Sequence, residues 1–438
     1  MLLIYVPRLT NRLGYTLNVL LHHLLHTDYS ITTDVAYFDS YGGAKLCYGP
    51  HRLGDGLYIK SVNLLFSTSI EDHATRADLR DGHWTLYPVY GREADFPFDL
   101  LAATFFMVSR YEEYLPYRGD LHGRFPAEQS VACQKGFLDQ PVVEQWAAWL
   151  HEKLALRYPD LPVGGRSYRF MQTVDIDEAW CYLHKGFGRT AMGLVKELFV
   201  RRDPAAARRR LRTLLHRQPD PYDTFDYILA QRQRVPGSHL LFFVLMADYG
   251  KFDRAISYLD PHMRDLLQHL GDHARLGIHP GYATIDEPAR CDVEMQRLGR
   301  ILHRDIVRAR YHYIRLCLPR SYRILLHAGI RHDYSMGYPD APGFRAGISS
   351  PYPFYDLERD LETELVVHPF CVMDTTLRRY LGLDPAAALD LCRPMVDAVR
   401  AVGGDFCCIF HNQNLSETGP WQGWRTFYEQ LLDYAKPK

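Results

Sequence analysis

The sequence predicts an α/β protein in two parts: a distorted (β/α) barrel over residues 168–438, preceded by a separate α/β accessory domain over residues 1–158. Three observations predict it. A chain of 438 residues divides into two or three domains at about 150 residues each. The stretch Tyr158-Pro-Asp-Leu-Pro-Val-Gly-Gly-Arg-Ser167 carries two prolines and a glycine pair and reads as a linker. Beyond it, short apolar runs alternate with helix-like stretches, the pattern of βα units around a parallel sheet.

Before the linker, Leu2–Val6 reads as a strand, and Tyr15–Leu25, Asp99–Tyr114 and Val142–Leu156 read as helices. After it, strand-like runs end at Asp177, Met246, His279, Arg310, Asp333, His368 and His411. Helices are expected between most of them, at Ala255–Leu270, Glu294–His303, Pro319–His327, Tyr355–Leu365 and Pro385–Val402. Phe187–Gln218 interrupts the alternation and reads as a helical insertion. About seven such units suit a barrel, whose active site lies at the carboxyl ends of the strands.

Composition narrows the function. Apolar residues make up 47% and aromatics 13%, enough for a packed core and against a disordered chain. With 51 Lys plus Arg against 52 Asp plus Glu, the net charge is −1, and no basic surplus points to nucleic acid. No stretch reaches about 18 uninterrupted apolar residues, so no transmembrane segment is expected. Nine scattered cysteines without a Cys-x-x-Cys suit reduced thiols. Met1–Pro7 has no basic segment followed by a long apolar run, so a cytoplasmic location is expected.

Four strand ends carry the candidate chemistry. In Thr173-Val-Asp175-Ile-Asp177, alternation puts Thr173, Asp175 and Asp177 on one face. Two carboxylates on one face need water, a metal or a cation to offset their repulsion, and a metal ligand with a general base is one use of such a pair. Asp177-Glu178 opening a helix is the other reading. His279 ends the short run Leu276-Gly-Ile and Pro280 stops it. Its imidazole suits a metal, although most of the chain's 21 histidines need have no such role. Arg310-Tyr-His312 puts a guanidinium and an imidazole on one strand face, where Arg310 can hold Asp175 or form a rim salt bridge. His411 closes Asp405-Phe-Cys-Cys-Ile-Phe-His411 and suits a general acid tuned by Asp405 or another carboxylate, or a polar cap on the loop Asn412–Ser416. On a barrel, all four ends converge on one rim.

The order of these motifs resembles the polysaccharide deacetylases of the NodB-homology group, carbohydrate esterase family 4, from about Tyr168 onward. Thr173–Asp177 looks like that family's first motif, which implies Asp175 as base and Asp177 as metal ligand. Val235–Val244 is similar to the next strand. Gly277-Ile-His279 looks like the metal-binding histidine motif, Arg310 like the arginine that contacts the base, and Ile409-Phe-His411 like the motif of the general acid. One departure stands out. The family's second ligand histidine, four residues after the first, is Ala283 in this chain. His312 is the expected replacement, and zinc the expected metal. Residues 1 to about 158, with Arg12–Tyr15, Ser109–Tyr114 and Gly123–Phe125, resemble a poorly characterised domain found ahead of such enzymes.

The resemblance implies a metal-dependent hydrolase that removes an N-acetyl or related acyl group from a saccharide. An inactive saccharide-binding relative, favoured by Ala283, and a glycoside hydrolase using Asp175 and Asp177 are the alternatives. In a cytoplasm the substrate would be nucleotide-linked, lipid-linked or small. Two weaker features complete the reading. Seven arginines within Arg201–Arg217 form a solvated helix face or meet an anionic partner. The glycine- and proline-rich loop Asp333–Ile348 is a candidate wall for a sugar site.

Overall fold

A computed structural model describes residues 1–72, 75–91, 93–200 and 202–437. The first sheet is wholly parallel, in the order β2-β1-β3-β4, built from β1 (Leu2–Tyr5), β2 (Tyr29–Thr32), β3 (Lys45–Gly49) and β4 (Leu57–Lys60). A hairpin of β5 (Ala77–Arg80) and β6 (His83–Leu86) follows. The helix at Val142–Arg157 ends this region, and no regular element spans the proline-glycine stretch before residue 169.

The second sheet has nine strands in the order β12-β13-β11-β10-β9-β8-β7-β15-β14. They are β7 (Arg169–Ile176), β8 (His239–Val244), β9 (Arg275–Ile278), β10 (Arg308–Ala309), β11 (His332–Asp333), β12 (Tyr352–Asp356), β13 (Leu361–Val367), β14 (Val372–Met373) and β15 (Asp405–His411). Every neighbouring pair is parallel except β12 with β13. The short segment joining β13 to β14 bonds in two directions. The N–H of His368 donates to Asp333 O and that of Phe370 to Met336 O, while Cys371 donates to Cys407 O beside it.

Alternation along the central strands separates two environments. Phe170, Val174, Phe242, Val244, Phe406 and Phe410 join the large core shared with the helices. The other face holds smaller clusters: Cys407 and Ile409 with Ile314, Phe370 and Met373, and Leu241 and Phe243 with Tyr334, with Met171 packed against both. That face carries the candidate site.

Several expected elements are corrected. The helix expected at Tyr355–Leu365 is the β12–β13 hairpin: Leu357, Leu361 and Leu365 mimic a helical stripe, but Asp360 takes φ 52° and turns the chain. The helix expected from Ala255 begins at Pro261, where the Asp260 carboxylate caps the N–H groups of His262 and Met263. Asp99–Tyr114 is helical only over Leu100–Val108, because Arg110 adopts a left-handed conformation before a 3-10 turn. Within the arginine cluster, Arg210 is buried and forms a two-bond pair with Glu197, so it is no part of a solvated face; Arg201 lies outside the described residues. The loop Asp333–Ile348 lies largely buried against the first region, with only Pro339 reaching the cleft described below.

The two regions pack directly on one another, and one apolar core contains residues of both. Ser109–Tyr114 sits at this contact. Arg345 and Glu113, both buried, form two hydrogen bonds of 2.8 and 2.6 Å, and Arg110 shares the same carboxylate. Glu144 receives the N–H groups of Ser349 and Ser350 and the Ser349 hydroxyl. Removing Arg345 leaves the buried Glu113 with Arg110 as its remaining partner and deletes two charge-assisted hydrogen bonds, at a cost of about 1.5–3 kcal/mol. Arg345→Met is therefore expected to lower the unfolding midpoint by several degrees in calorimetry, and an unchanged midpoint would contradict this. Among the described residues, no helix is long and apolar enough to cross a membrane.

Candidate metal centre

The site lies at the carboxyl ends of β7, β9, β10 and β15. Asp175, the last inward residue of β7, is buried, and its Oδ1 accepts a hydrogen bond from Arg310 Nη1 at 2.7 Å. Arg310 is held from three sides. Its Nε donates to Tyr334 O at 2.9 Å, and its guanidinium lies over the rings of Phe243 and Phe370 at 4.4 and 5.8 Å. The expected Asp175–Arg310 pairing is thus the one formed.

Asp177, one residue past β7, faces two imidazoles. Its Oδ1 is 3.4 Å from His279 Nε2 and 3.6 Å from His312 Nε2. Each ring is fixed through its other nitrogen. His279 Nδ1 lies 2.5 Å from Arg310 O, and His312 Nδ1 lies 2.8 Å from the Asp253 carboxylate. A ring nitrogen that donates to such an acceptor leaves the Nε2 lone pair free to bind a metal. Ligand atoms of Asp177, His279 and His312 all lie within 4.8 Å of one another. Asp177 Oδ1 is itself buried without a hydrogen-bond partner. An orphaned carboxylate oxygen between two oriented imidazoles fits a divalent cation, and the donor set of two nitrogens and one oxygen suits zinc.

Arg310 and His312 do not share a strand face as expected, since β10 ends at Ala309. The chain instead turns. His312 N–H donates to Pro280 O, and Tyr313 takes φ 61°, which brings His312 beside His279. Ala283 lies in the 3-10 turn Tyr282–Ile285, and the two imidazoles beside Asp177 Oδ1 are those of His279 and His312.

His411, at the end of β15, completes the group. Its Nδ1 meets Asp374 Oδ1 at 2.7 Å, its backbone N–H donates to the other oxygen at 2.8 Å, and its Nε2 points toward Asp177 at 3.8 Å. The partner is Asp374 rather than Asp405, which begins β15 at the far end and is bound by Arg166 and Arg169. Burial lowers the His411 pKa, but Asp374 and the nearby aspartates more than reverse this and raise it to about 9. Burial likewise opposes the charge on His312, yet Asp177 and Asp253 raise it to about 9. For Asp177, burial pushes upward while His312, His279 and His411 hold the carboxyl well below its ordinary value.

Residues 2–159 match a family of unknown function, DUF7033. No curated protein matches the chain. Among solved structures, the chain is similar to a Mycobacterium smegmatis protein carrying a polysaccharide deacetylase designation, at 17% identity and TM-score 0.38, over 61% of this chain and 84% of that one. The polysaccharide deacetylase Bc1974 from Bacillus cereus gives 10%, 0.28, 61% and 87% for the same quantities. The carbohydrate deacetylase Agd3 gives 11% and 0.36 over 99% of this chain and 84% of its own. Such distant likenesses assign no activity, and the chemistry rests on the side chains described above.

A cleft of about 520 Å³ opens over the centre. Its floor includes Asp175, Asp177, His279, His312 and His411, and its walls include Phe252, Arg254, Tyr313, Arg379 and Tyr380. The first region contributes Arg124 to it. Sequence reasoning missed Asp253, Asp374 and Arg124. Asp253 lies in a loop, Asp374 follows a two-residue strand, and Arg124 joins the site across a tertiary contact, so none carries a periodic signal.

Proposed function

We propose that the chain is a metal-dependent hydrolase that removes an N-acetyl or related acyl group from a saccharide. The observation that carries this reading is the orphaned Asp177 oxygen between two oriented imidazoles, flanked by the Asp175–Arg310 and His411–Asp374 pairs. Asp177, His279 and His312 would hold the cation, zinc in this reading, which when bound supplies Lewis acidity. We read the nine-stranded sheet as a distorted barrel in which β13 and β14 form one interrupted strand. Residues 1–158 and 168–438 are then two units sharing an interface.

Asp175 serves as the base, oriented by the hydrogen bond from Arg310. It takes a proton from the attacking water as the oxygen adds to the acyl carbon. His411, on the other side of Asp177, carries a proton at neutral pH and gives it to the departing nitrogen. The C–N bond breaks, and a carboxylic acid and a free amine are the products. Asp374 holds His411 in the orientation that this transfer needs.

Two carboxylates used across a glycosidic bond fit less well, because Asp175 is tied to Arg310 and lies on the same strand end as Asp177. Release of acetate rather than reducing sugar from N-acetylated oligosaccharides separates the two reactions. Loss of a positioned acid costs on the order of 10²- to 10⁴-fold in turnover. His411→Ala is expected to fall in that range with its metal retained, and Asp374→Asn to fall less. Unchanged turnover in His411→Ala would end the proposed role.

A further inference from the structure

We infer that the DUF7033 region is a working part of the centre, with Arg124 as a positioning residue for His312. This rests on the metal-centre reading above. Arg124 is only 3% exposed. Its Nε donates to the Asp120 carboxylate at 2.7 Å, its Nη2 to the Tyr380 hydroxyl at 3.3 Å, and its Nη1 to Tyr313 O at 2.6 Å. That carbonyl belongs to the residue directly after His312. Tyr313 and Ile314 both have positive φ, 61° and 49°, a conformation unfavourable for any side chain and most of all for β-branched Ile. A left-handed pair persists only where its surroundings hold it, and the Arg124 guanidinium is one such hold.

The same loop reaches the centre by a second route. His122 Nδ1 lies 3.0 Å from the Tyr282 hydroxyl. The Tyr282 N–H donates at 3.0 Å to the Asp253 oxygen that orients His312. One loop of the first region therefore bears on both the ring of His312 and the backbone of the residue that follows it.

Cobalt(II) and zinc titrations of the full chain and of Arg124→Met test this. Loss of a group that orients a ligand typically weakens metal binding about 10- to 100-fold. Arg124→Met should show such a loss with an altered visible cobalt spectrum, and Arg124→Lys should recover part of it. Wild-type affinity and spectrum in folded Arg124→Met would overturn the inference. If Arg124→Met does not fold, Asp120→Asn decides, with weaker binding supporting the role and wild-type binding overturning it. A wild-type protein that takes up no metal would instead remove the metal-centre reading.

A second observation independently points to the substrate. The carboxylates of the cleft floor are engaged: Asp175 with Arg310, Asp177 with the histidines, and Glu178 with Lys185 and Arg189. On the walls, Arg254 and Arg379 pair with no carboxylate among the described residues, and Arg379 lies over the ring of Trp421. Lys251, also without a carboxylate partner there, lies over the ring of Phe252, which lines the same cleft. The geometry points to a saccharide bearing an anionic group, phosphate or carboxylate, gripped by Arg254 and Arg379 while its sugar faces the aromatic wall.

Calorimetric titration of the metal-loaded chain with N-acetylglucosamine, its 1-phosphate and N-acetylmuramic acid tests this without turnover. One charge-assisted hydrogen bond supplies about ten-fold. At least one anionic sugar should therefore bind that much more tightly than the neutral one, the better of the two identifying phosphate or carboxylate. The advantage should disappear in Arg254→Ala/Arg379→Ala. Equal binding of all three sugars, or an advantage that survives in the double variant, would overturn it. Binding through the arginines with no acetate released from any acetylated sugar would remove the deacetylase reading and leave this one.

Discussion

His312→Ala is expected to purify with far less than one equivalent of divalent metal while remaining folded. The ring supplies one of three candidate donors, and its Nε2 faces the Asp177 oxygen that accepts no hydrogen bond and lies between this ring and that of His279. Removing it leaves one imidazole and one carboxylate, short of the three protein ligands usual in catalytic zinc sites. Loss of an outer partner alone weakens metal binding about 10- to 100-fold, so Asp253→Asn marks the lower bound and His312→Ala should exceed it. Elemental analysis by mass spectrometry after purification without added metal or chelator reads both. Full occupancy in His312→Ala would mean that the third donor lies elsewhere.

Asp175→Asn should lose the most activity while losing little metal. The asparagine oxygen still accepts from Arg310, so the buried guanidinium keeps a partner and the fold is preserved. What disappears is the ability to take a proton from water, a loss on the order of 10³- to 10⁴-fold in turnover. The check is acetate release from N-acetylated saccharides beside metal content on the same sample. Turnover within a few-fold of wild type would transfer the base to another group. Equal loss of metal and activity would make Asp175 a ligand instead.

Much of this centre was legible because apolar runs stop at polar residues. Asp177, His279 and His411 each stand at or just past the end of a strand, and Asp175 sits two residues before Asp177 on the inward face. The Ala283 departure, together with the family resemblance, pointed to His312, and the turn at Tyr313 brings that ring into place. Less legible were contacts that depend on the packing of distant segments. Asp374 follows the two-residue strand Val372–Met373, too short for any pattern, yet it orients His411. Asp405 was the nearer choice in sequence, but a strand's length separates it from the ring it was expected to tune.

The fold shows the same division. The parallel strand order follows from alternating apolar and helical runs, whereas the β12–β13 hairpin hides behind leucines at helical spacing. The interface of the two regions depends on Glu113–Arg345 and Glu144–Ser349, pairs more than 200 residues apart that no local pattern announces. Arg124 belongs to this group. Gly123–Phe125 stands out in the sequence only through the first region's resemblance, and the bonds from Arg124 to Tyr313 and Tyr380 need the second region packed against it.

The most direct test is anomalous diffraction at the zinc edge from crystals grown with zinc. One strong peak bonded to Asp177 and to the Nε2 atoms of His279 and His312, with Asp175 and His411 beside it, is the predicted result. No peak within the cleft, or a zinc ion held by other residues, would contradict the metal centre and the hydrolytic function built on it.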